Sequence, residues 1–254
     1  MTNTALVRRP GPRLDEGLVT HVERSPVDVE VALGQWNNYV RVLNDAGWVT
    51  VEVPGADGCP DAVFIEDTMV VFGDLAVITR PGAESRRPET RDAEATAGGL
   101  GLRIAHIETP GTLDGGDVLK AGTTVYVGRS ARTNDAGIAQ LQRLVRSRGL
   151  RVVAVPLTKV LHLKSAVTAL PDGTILGWEP AVDDATLFPS FLAMPEESGA
   201  HVVDLGNNRV LMASDCHRSA ELVTARGYNV VTVDISEFVK LEGCVTCLSV
   251  RVRN

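Results

Sequence analysis

Residues 66–82 read EDTMVVFGDLAVITRPG, from Glu66 to Gly82. Two apolar, β-branched runs, 69–72 and 75–79, flank Gly73-Asp74. Asp, Asn and Gly tolerate the positive φ of a tight hairpin turn, so this stretch predicts two antiparallel strands. The pattern returns along the chain. Runs 118–120 and 124–128 flank 121–123, runs 166–170 and 174–178 flank Asp172-Gly173, and runs 202–205 and 209–213 flank Asn207-Asn208. Asp67 and Asp117 each stand just before a hairpin, 50 residues apart. A period of that length marks a repeat architecture.

Outward from the hairpins, helices are predicted over 31–46, 87–98, 135–148, 183–193 and 218–226. Their apolar residues recur at three- and four-residue steps, as in Ile138, Leu141, Leu144 and Val145. Gly47, Gly98, Gly149 and Gly227 stand where four of them should stop. A short β-like run follows these four, at 49–53, 103–107, 151–155 and 229–233. A fifth hairpin needs 246–253 and a partner strand. Leu6-Val7-Arg8-Arg9-Pro10-Gly11 echoes Val77-Ile78-Thr79-Arg80-Pro81-Gly82 and can supply it. If the two ends pair, the ring closes and leaves no sheet edge exposed. The expected fold is α/β: a five-bladed α/β-propeller of repeated ββαβ-type units with pseudo-fivefold symmetry, in a single domain over 1–254. A doubly wound sheet fits less well, because the hairpin turns are too short for parallel crossovers. Gly98-Gly99-Leu100-Gly101 follows a helix, not a strand, and reads as a helix stop rather than a dinucleotide fingerprint.

Composition narrows the function classes. The 254 residues are 44% hydrophobic and 22% charged, a globular balance that excludes disorder as the main state. Net charge is −7 with no basic run, and aromatics are 4%, which disfavours nucleic acid as a partner. No apolar run approaches the ~18 residues of a membrane span, and the N-terminal stretch lacks a signal-peptide core. The expected location is cytoplasmic. Four cysteines (Cys59, Cys216, Cys244, Cys247) are too few for a disulfide scaffold and read as free thiols.

In a ring of repeats, equivalent positions converge on the axis. Asp67, His162 and Cys247 each precede a first hairpin strand, so they are expected to line one central site. Glu66-Asp67 and Asp114-Gly115-Gly116-Asp117 put acids at the same mouth, able to bind a cation or to orient an imidazole. Arg86-Arg87 and Arg132 each follow a second hairpin strand, and Arg clamps a carboxylate bidentately. Together they suggest a substrate with one cationic and one carboxylate end. The plainer alternatives are solvated acids, a core histidine and charges at helix starts. Cys244-Val245-Thr246-Cys247 is a CxxC. A zinc site would need two more ligands, and a redox pair should open a helix, whereas this one leads into the strand-like run 248–252. Two buried thiols are the alternative to a nucleophile. In an extended segment Cys244 would face away from Cys247.

Several stretches resemble motifs of the dimethylarginine dimethylaminohydrolase (dimethylargininase) family of the guanidine-modifying pentein superfamily. They are Phe64-Ile65-Glu66-Asp67, residues 78–87, Thr112-Leu113-Asp114-Gly115-Gly116-Asp117-Val118-Leu119, Arg132-Thr133-Asn134, Leu161-His162-Leu163-Lys164-Ser165 and Thr246-Cys247-Leu248-Ser249. The resemblance runs in order over nearly the whole chain. It implies the pentein propeller and hydrolysis of Nω-methylated arginine to citrulline and a methylamine, without metal or cofactor. It matches Cys247 to the nucleophile, His162 to the general acid/base and Asp114 to the acid that orients it. Glu66 and Asp67 match the guanidinium site, Asp61 the substrate's amino end, and Arg86 and Arg132 the carboxylate contacts. The backbone at Leu241 matches a further contact, and Leu18 falls in a segment resembling a mobile lid. An arginine deiminase-like or other amidine hydrolase would use the same residues, and a catalytically silent pentein would bind without turnover. The partner expected is a small molecule. The sequence leaves the oligomeric state open, a homodimer included.

Overall fold

The computed structural model describes residues 3–253. Its strands form five separate three-stranded sheets. The second unit shows the plan. Strands β3 (Met69–Phe72) and β4 (Leu75–Ile78) form an antiparallel hairpin, α2 (Thr90–Gly99) follows, and β5 (Arg103–His106) returns parallel to β4. The third unit repeats it with β6 (Val118–Ala121), β7 (Thr124–Arg129), α3 (Asp135–Arg146) and β8 (Arg151–Pro156). The fifth uses β12 (Val203–Gly206), β13 (Arg209–Ala213), α5 (His217–Ala225) and β14 (Asn229–Val233). At its turn Asn207 and Asn208 both take positive φ, 52° and 60°, as a tight hairpin demands.

The two ends of the chain complete the remaining ordinary unit. Strand β1 (Thr4–Val7) pairs in parallel with β2 (Val49–Glu52), across α1 (Val29–Asp45). On its other side β1 pairs antiparallel with β15 (Val250–Val252), setting Thr4 opposite Val252 and Leu6 opposite Val250. The expected closure of the ring is therefore present, with β1 as the middle strand of its sheet. Arg8, just beyond it, is fully buried and donates to the carbonyls of Pro54 and Glu89 at 3.1 and 3.0 Å. Removing residues 1–10 deletes that strand and orphans both neighbours. We expect a destabilisation on the order of 5 kcal/mol or more, seen as loss of the cooperative urea transition by circular dichroism.

The fourth unit departs from expectation. Strands β9 (Val167–Ala169) and β10 (Ile175–Gly177) form the hairpin, but no helix covers 183–193. That stretch holds a 3-10 turn at Ala185–Leu187 and then β11 (Phe191–Ala193), parallel to β10. Pro189 lies inside the apolar pattern and cannot supply the amide a helix needs there. Gly177 lets β11 approach: a Cβ on it would sit 2.4 Å from the Phe191 ring.

The first strands of all five sheets face an axial cavity of about 330 Å³, lined by Met69, Val118, Thr168, Val203 and Val250 among others. Apolar clusters fill the space between the blades and under the helices. The largest sets Trp36, Tyr39 and Leu43 of α1 against Leu205, Leu211 and Val233. None of the described helices is long and apolar enough to cross a membrane.

Candidate active site

The segments just before the first hairpin strands meet at one end of the axis. A small pocket there is lined by Leu18, Asp61, Asp67, Arg86, Arg132, His162, Leu241 and Cys247, together with Phe64, Leu161, Glu242 and Gly243. Eight of the residues singled out in the sequence thus share one wall. Asp114 stands behind it, and Glu66 does not reach it.

His162 has an extended backbone and stands at the N-terminus of the one-turn helix α4 (Leu163–Ala166). Its Nε2 lies 3.0 Å from Asp114 Oδ2, and its Nδ1 lies 3.8 Å from Asp67 Oδ1. Asp117 sits below and accepts from the Leu163 amide and the Ser130 hydroxyl at 3.0 and 2.7 Å, which anchors the turn after the histidine. Burial pushes the Asp117 carboxyl up to about 6. Burial alone would lower the His162 imidazole. Asp67, the Asp114 hydrogen bond and Asp117 outweigh it and raise the ring to about 9. The histidine is therefore an imidazolium at neutral pH. Gly116 is required beside it, since a Cβ there would lie 2.6 Å from His162 Nδ1 and 2.7 Å from Asp67 Oδ1.

Asp67 accepts from Arg86 NH1 at 2.6 Å and from the Gly116 amide at 2.8 Å. Burial would raise this carboxyl, but His162 and Arg86 hold it well below the usual carboxylate range. Asp67, Asp114 and His162 offer three ligand-type atoms within 4.8 Å of one another. Arg86 beside Asp67, and Arg132 NH1 at 3.5 Å from Asp114 Oδ2, already compensate those carboxylates. A protonated histidine does not ligate a metal. The donor set suits ion pairing with organic cations and proton movement better than metal binding.

The adjacent acid goes elsewhere. Glu66 shares the 3-10 turn Ile65–Thr68 with Asp67, but its carboxylate pairs with Lys164 Nζ at 2.6 Å and Arg251 NH2 at 3.1 Å. It also accepts from Thr246 Oγ1 at 2.8 Å. These partners line the axial cavity, so Glu66 closes its floor and does not face a guanidinium at the mouth. Successive side chains of a 3-10 turn point about 120° apart, so two neighbours cannot share one face.

The arginines also divide. Arg86 NE and NH2 form a two-pronged pair with Glu89 at 3.0 and 2.8 Å, and NH2 also donates to the carbonyls of Asp61 and Phe64. Glu89 falls inside the stretch 87–98 predicted as a helix, and no sequence signal marks it as a partner of Arg86. Most of the Arg86 guanidinium is thus spent on holding the wall. Arg132 is different: its NH1 is buried without a hydrogen-bond partner among the described residues. It is ion-paired with Asp114 at 3.5 Å but keeps hydrogen-bond donors unused, which suit an added anion. The expected outcomes separate accordingly. Arg86→Ala strands Asp67 and Glu89 and should cost about 3–5 kcal/mol in urea unfolding. Arg132→Ala should leave stability nearly intact and raise KM roughly 10- to 100-fold, with a smaller change in kcat.

The mouth is covered by the segment around Leu18. The Leu18 amide donates to Asp61 Oδ1 at 2.9 Å, and the Thr20 and His21 amides donate to the Glu242 carboxylate at 2.7 Å each. Burial raises the Asp61 carboxyl. Glu242 holds φ at +61°, a strained position for a non-glycine residue, and no sequence signal marked it. The space left at the mouth is about 20 Å³, room for about one water and too small for an amino acid.

Cys247 is not in an extended run. Its amide donates to Cys244 O at 3.0 Å, closing a turn, and the strand begins only at Val250. The turn brings Cys244 Sγ to 3.4 Å from Cys247 Sγ, correcting the expectation that the two thiols face apart. In this pair the first proton leaves easily and the second does not. The hydrogen bond from the Cys247 thiol lowers Cys244 against the effect of burial, with help from His201. The same bond raises Cys247, and burial, Glu66 and Asp67 add to it.

No protein-family model matches the chain. It is 61% identical to N(G),N(G)-dimethylarginine dimethylaminohydrolase of Streptomyces coelicolor, over 98% of this chain and 96% of that one. A crystal structure of a dimethylarginine dimethylaminohydrolase histidine-to-glycine variant, as an adduct with S-methyl-L-thiocitrulline, superposes with a TM-score of 0.92. It is 35% identical, with 99% of this chain and 100% of that chain covered. The enzyme from Pseudomonas aeruginosa, a cysteine-to-serine variant complexed with citrulline, gives 0.91 at 35% identity, covering 99% of each chain. With likeness running the full length of these enzymes in both sequence and backbone, the chain belongs to the dimethylarginine dimethylaminohydrolase family.

Proposed function

We propose that this chain hydrolyses Nω,Nω-dimethylarginine and Nω-monomethylarginine to citrulline, releasing dimethylamine or methylamine. The observation that carries the reading is one pocket with Cys247, imidazolium His162 and Asp67 on its walls, and Arg132 beside them with a buried NH1 that makes no hydrogen bond among the described residues. The substrate's guanidinium pairs with Asp67, its carboxylate with Arg132, and its ammonium with Asp61.

A guanidinium resists attack because its charge is spread over three nitrogens. Pairing it with Asp67 holds its central carbon in place against Cys247. Its arrival also brings a cation to a thiol that the Cys244 contact and burial, with Glu66 and Asp67, otherwise hold protonated, which favours loss of the thiol proton to solvent and so the thiolate. Cys247 sulfur bonds to the central carbon. His162, fixed by Asp114, gives its proton to the departing dimethylamine as the carbon–nitrogen bond breaks. An S-linked thiouronium remains. Neutral His162 then takes a proton from water, the oxygen bonds to the same carbon, and the carbon–sulfur bond breaks to free citrulline and Cys247. Water and methylated arginine are consumed in equal amounts.

Residues 1–254 are taken to act as one catalytic domain. The four free thiols suit a reducing compartment, and we place the reaction in the cytoplasm. The test is incubation with dimethylarginine, monomethylarginine and arginine in turn, reading citrulline and the released amine. Citrulline with dimethylamine from the first and methylamine from the second is expected. Citrulline and ammonia from arginine alone would make it a deiminase, and no citrulline from any would remove the hydrolase reading.

A further inference from the structure

The mechanism uses one of the two thiols at this turn and leaves the other unexplained. Cys244 does not line the substrate cavity. It opens instead on a separate cavity of about 610 Å³, walled by His201, Ser165, Trp178, Ala213 and Asp215. The two cavities share Leu161, Glu242 and Gly243 as a partition. The thiol pair spans that partition, one sulfur on each side and 3.4 Å apart.

We propose that Cys244 and Cys247 form a site of reversible oxidation, where a hydroperoxide entering beside Cys244 closes an intramolecular disulfide. The contact is already made. The turn closed by the Cys247 amide and Cys244 carbonyl holds both sulfurs on one side, so bonding needs a small approach rather than a backbone rearrangement. Cys244 also meets the Thr246 hydroxyl at 3.3 Å, and its thiol is the more acidic of the pair, as an attacking sulfur must be. The other cysteines are poor competitors. Cys216 is buried, and burial raises its thiol to about 12. Cys59 is buried and likewise raised by burial.

The electron count closes. Cys244 thiolate attacks one peroxide oxygen, the oxygen–oxygen bond breaks, and the leaving oxygen takes a proton to become water or an alcohol. Cys244 is then a sulfenic acid. Cys247 attacks that sulfur, the sulfur–oxygen bond breaks, and the hydroxide leaves as water with the Cys247 proton. Two electrons pass from the sulfurs to one peroxide. A thiol reductant reverses the change by exchange. Closure takes the nucleophile out of turnover and shields it from sulfinic acid, which a thiol does not reverse.

The inference rests on the proposed function only for its effect on activity, so the experiment reads chemistry and activity separately. The tryptic peptide 241–251 holds both cysteines and neither of the others. Wild type is treated with stoichiometric hydrogen peroxide, alkylated and digested. We expect that peptide to be two hydrogens lighter and unalkylated, with turnover lost and then restored by dithiothreitol. When wild type and Cys244→Ser each receive a several-fold excess of peroxide, activities being taken relative to the untreated protein, the variant's peptide should gain two oxygens as sulfinic acid and its loss should resist dithiothreitol, while wild type recovers. A wild-type peptide that gains oxygen, or that still takes two alkyl groups when activity is gone, overturns the disulfide. Equal recovery by Cys244→Ser overturns it too. A disulfide formed with turnover intact leaves this inference standing and overturns Cys247 as nucleophile.

Discussion

Cys247→Ser is expected to abolish turnover while leaving ligand binding. A serine hydroxyl keeps the shape and sits in the same turn, but it is a far weaker nucleophile toward a delocalised cation. The imidazolium at His162 is protonated at neutral pH, so it offers no base to activate a hydroxyl. Loss of a covalent nucleophile should lower kcat by roughly 10⁴-fold or more. The contacts to Asp67, Asp61 and Arg132 do not involve the sulfur. Isothermal titration with dimethylarginine should therefore give a dissociation constant near that of wild type. Near-normal turnover by Cys247→Ser would remove the thiouronium from the mechanism. Mass spectrometry of wild type quenched during turnover should place an adduct on the peptide 241–251, and sequencing should locate it on Cys247 rather than Cys244.

His162→Gly should be nearly as severe and should change the pH profile. The ring first gives a proton and then takes one, so its loss touches both halves of the reaction. A fall of about 10²–10⁴-fold is expected. In free wild type, kcat/KM should decline as pH rises through about 9, where the imidazolium loses its proton. Bound guanidinium neutralises Asp67 and adds a cation nearby, which disfavours the imidazolium. The limb of kcat should therefore lie at lower pH than that of kcat/KM, and neither limb should persist in His162→Gly. Stability is linked with a definite sign. The folded pKa lies above the ordinary 6.5, so His162 stabilises fully below pH 6.5, and the contribution is lost as pH rises to about 9. Asp67, held low, contributes above the usual carboxylate range and loses that as pH falls through it. Urea unfolding at pH 6 and pH 9.5 should show wild type losing on the order of 3 kcal/mol that His162→Gly does not lose.

Much of the architecture is legible locally. Gly73-Asp74, Asp172-Gly173 and Asn207-Asn208 mark hairpins because few other residues accept the φ these turns require; Gly73, Gly173, Asn207 and Asn208 all have positive values. The echo between residues 6–11 and 77–82 exposes the ring closure, because equivalent places in a repeat face equivalent neighbours. The fourth unit departs from its helical pattern for an equally local reason. Residues 183–193 satisfy helical spacing, but that spacing does not register that Pro189 breaks the amide ladder.

The sequence by itself determined the order of the hairpins and of four of the five expected helices, the pairing of the ends, and which loops reach the mouth of the axis. Each of these follows from short-range turn chemistry and a recurring period. Only the tertiary structure decided between adjacent candidates. Asp67 faces the mouth while Glu66 turns to the axial floor, because Arg86 holds the first and Lys164 and Arg251 the second. Arg132 meets only Asp114, at 3.5 Å, and keeps NH1 without a hydrogen bond among the described residues, while Arg86 is consumed by Glu89 and Asp67. Cys244 touches Cys247 because a turn, not a strand, joins them. Buried charges and thiols settle by the partners that reach them, and those partners come from segments up to 185 residues away.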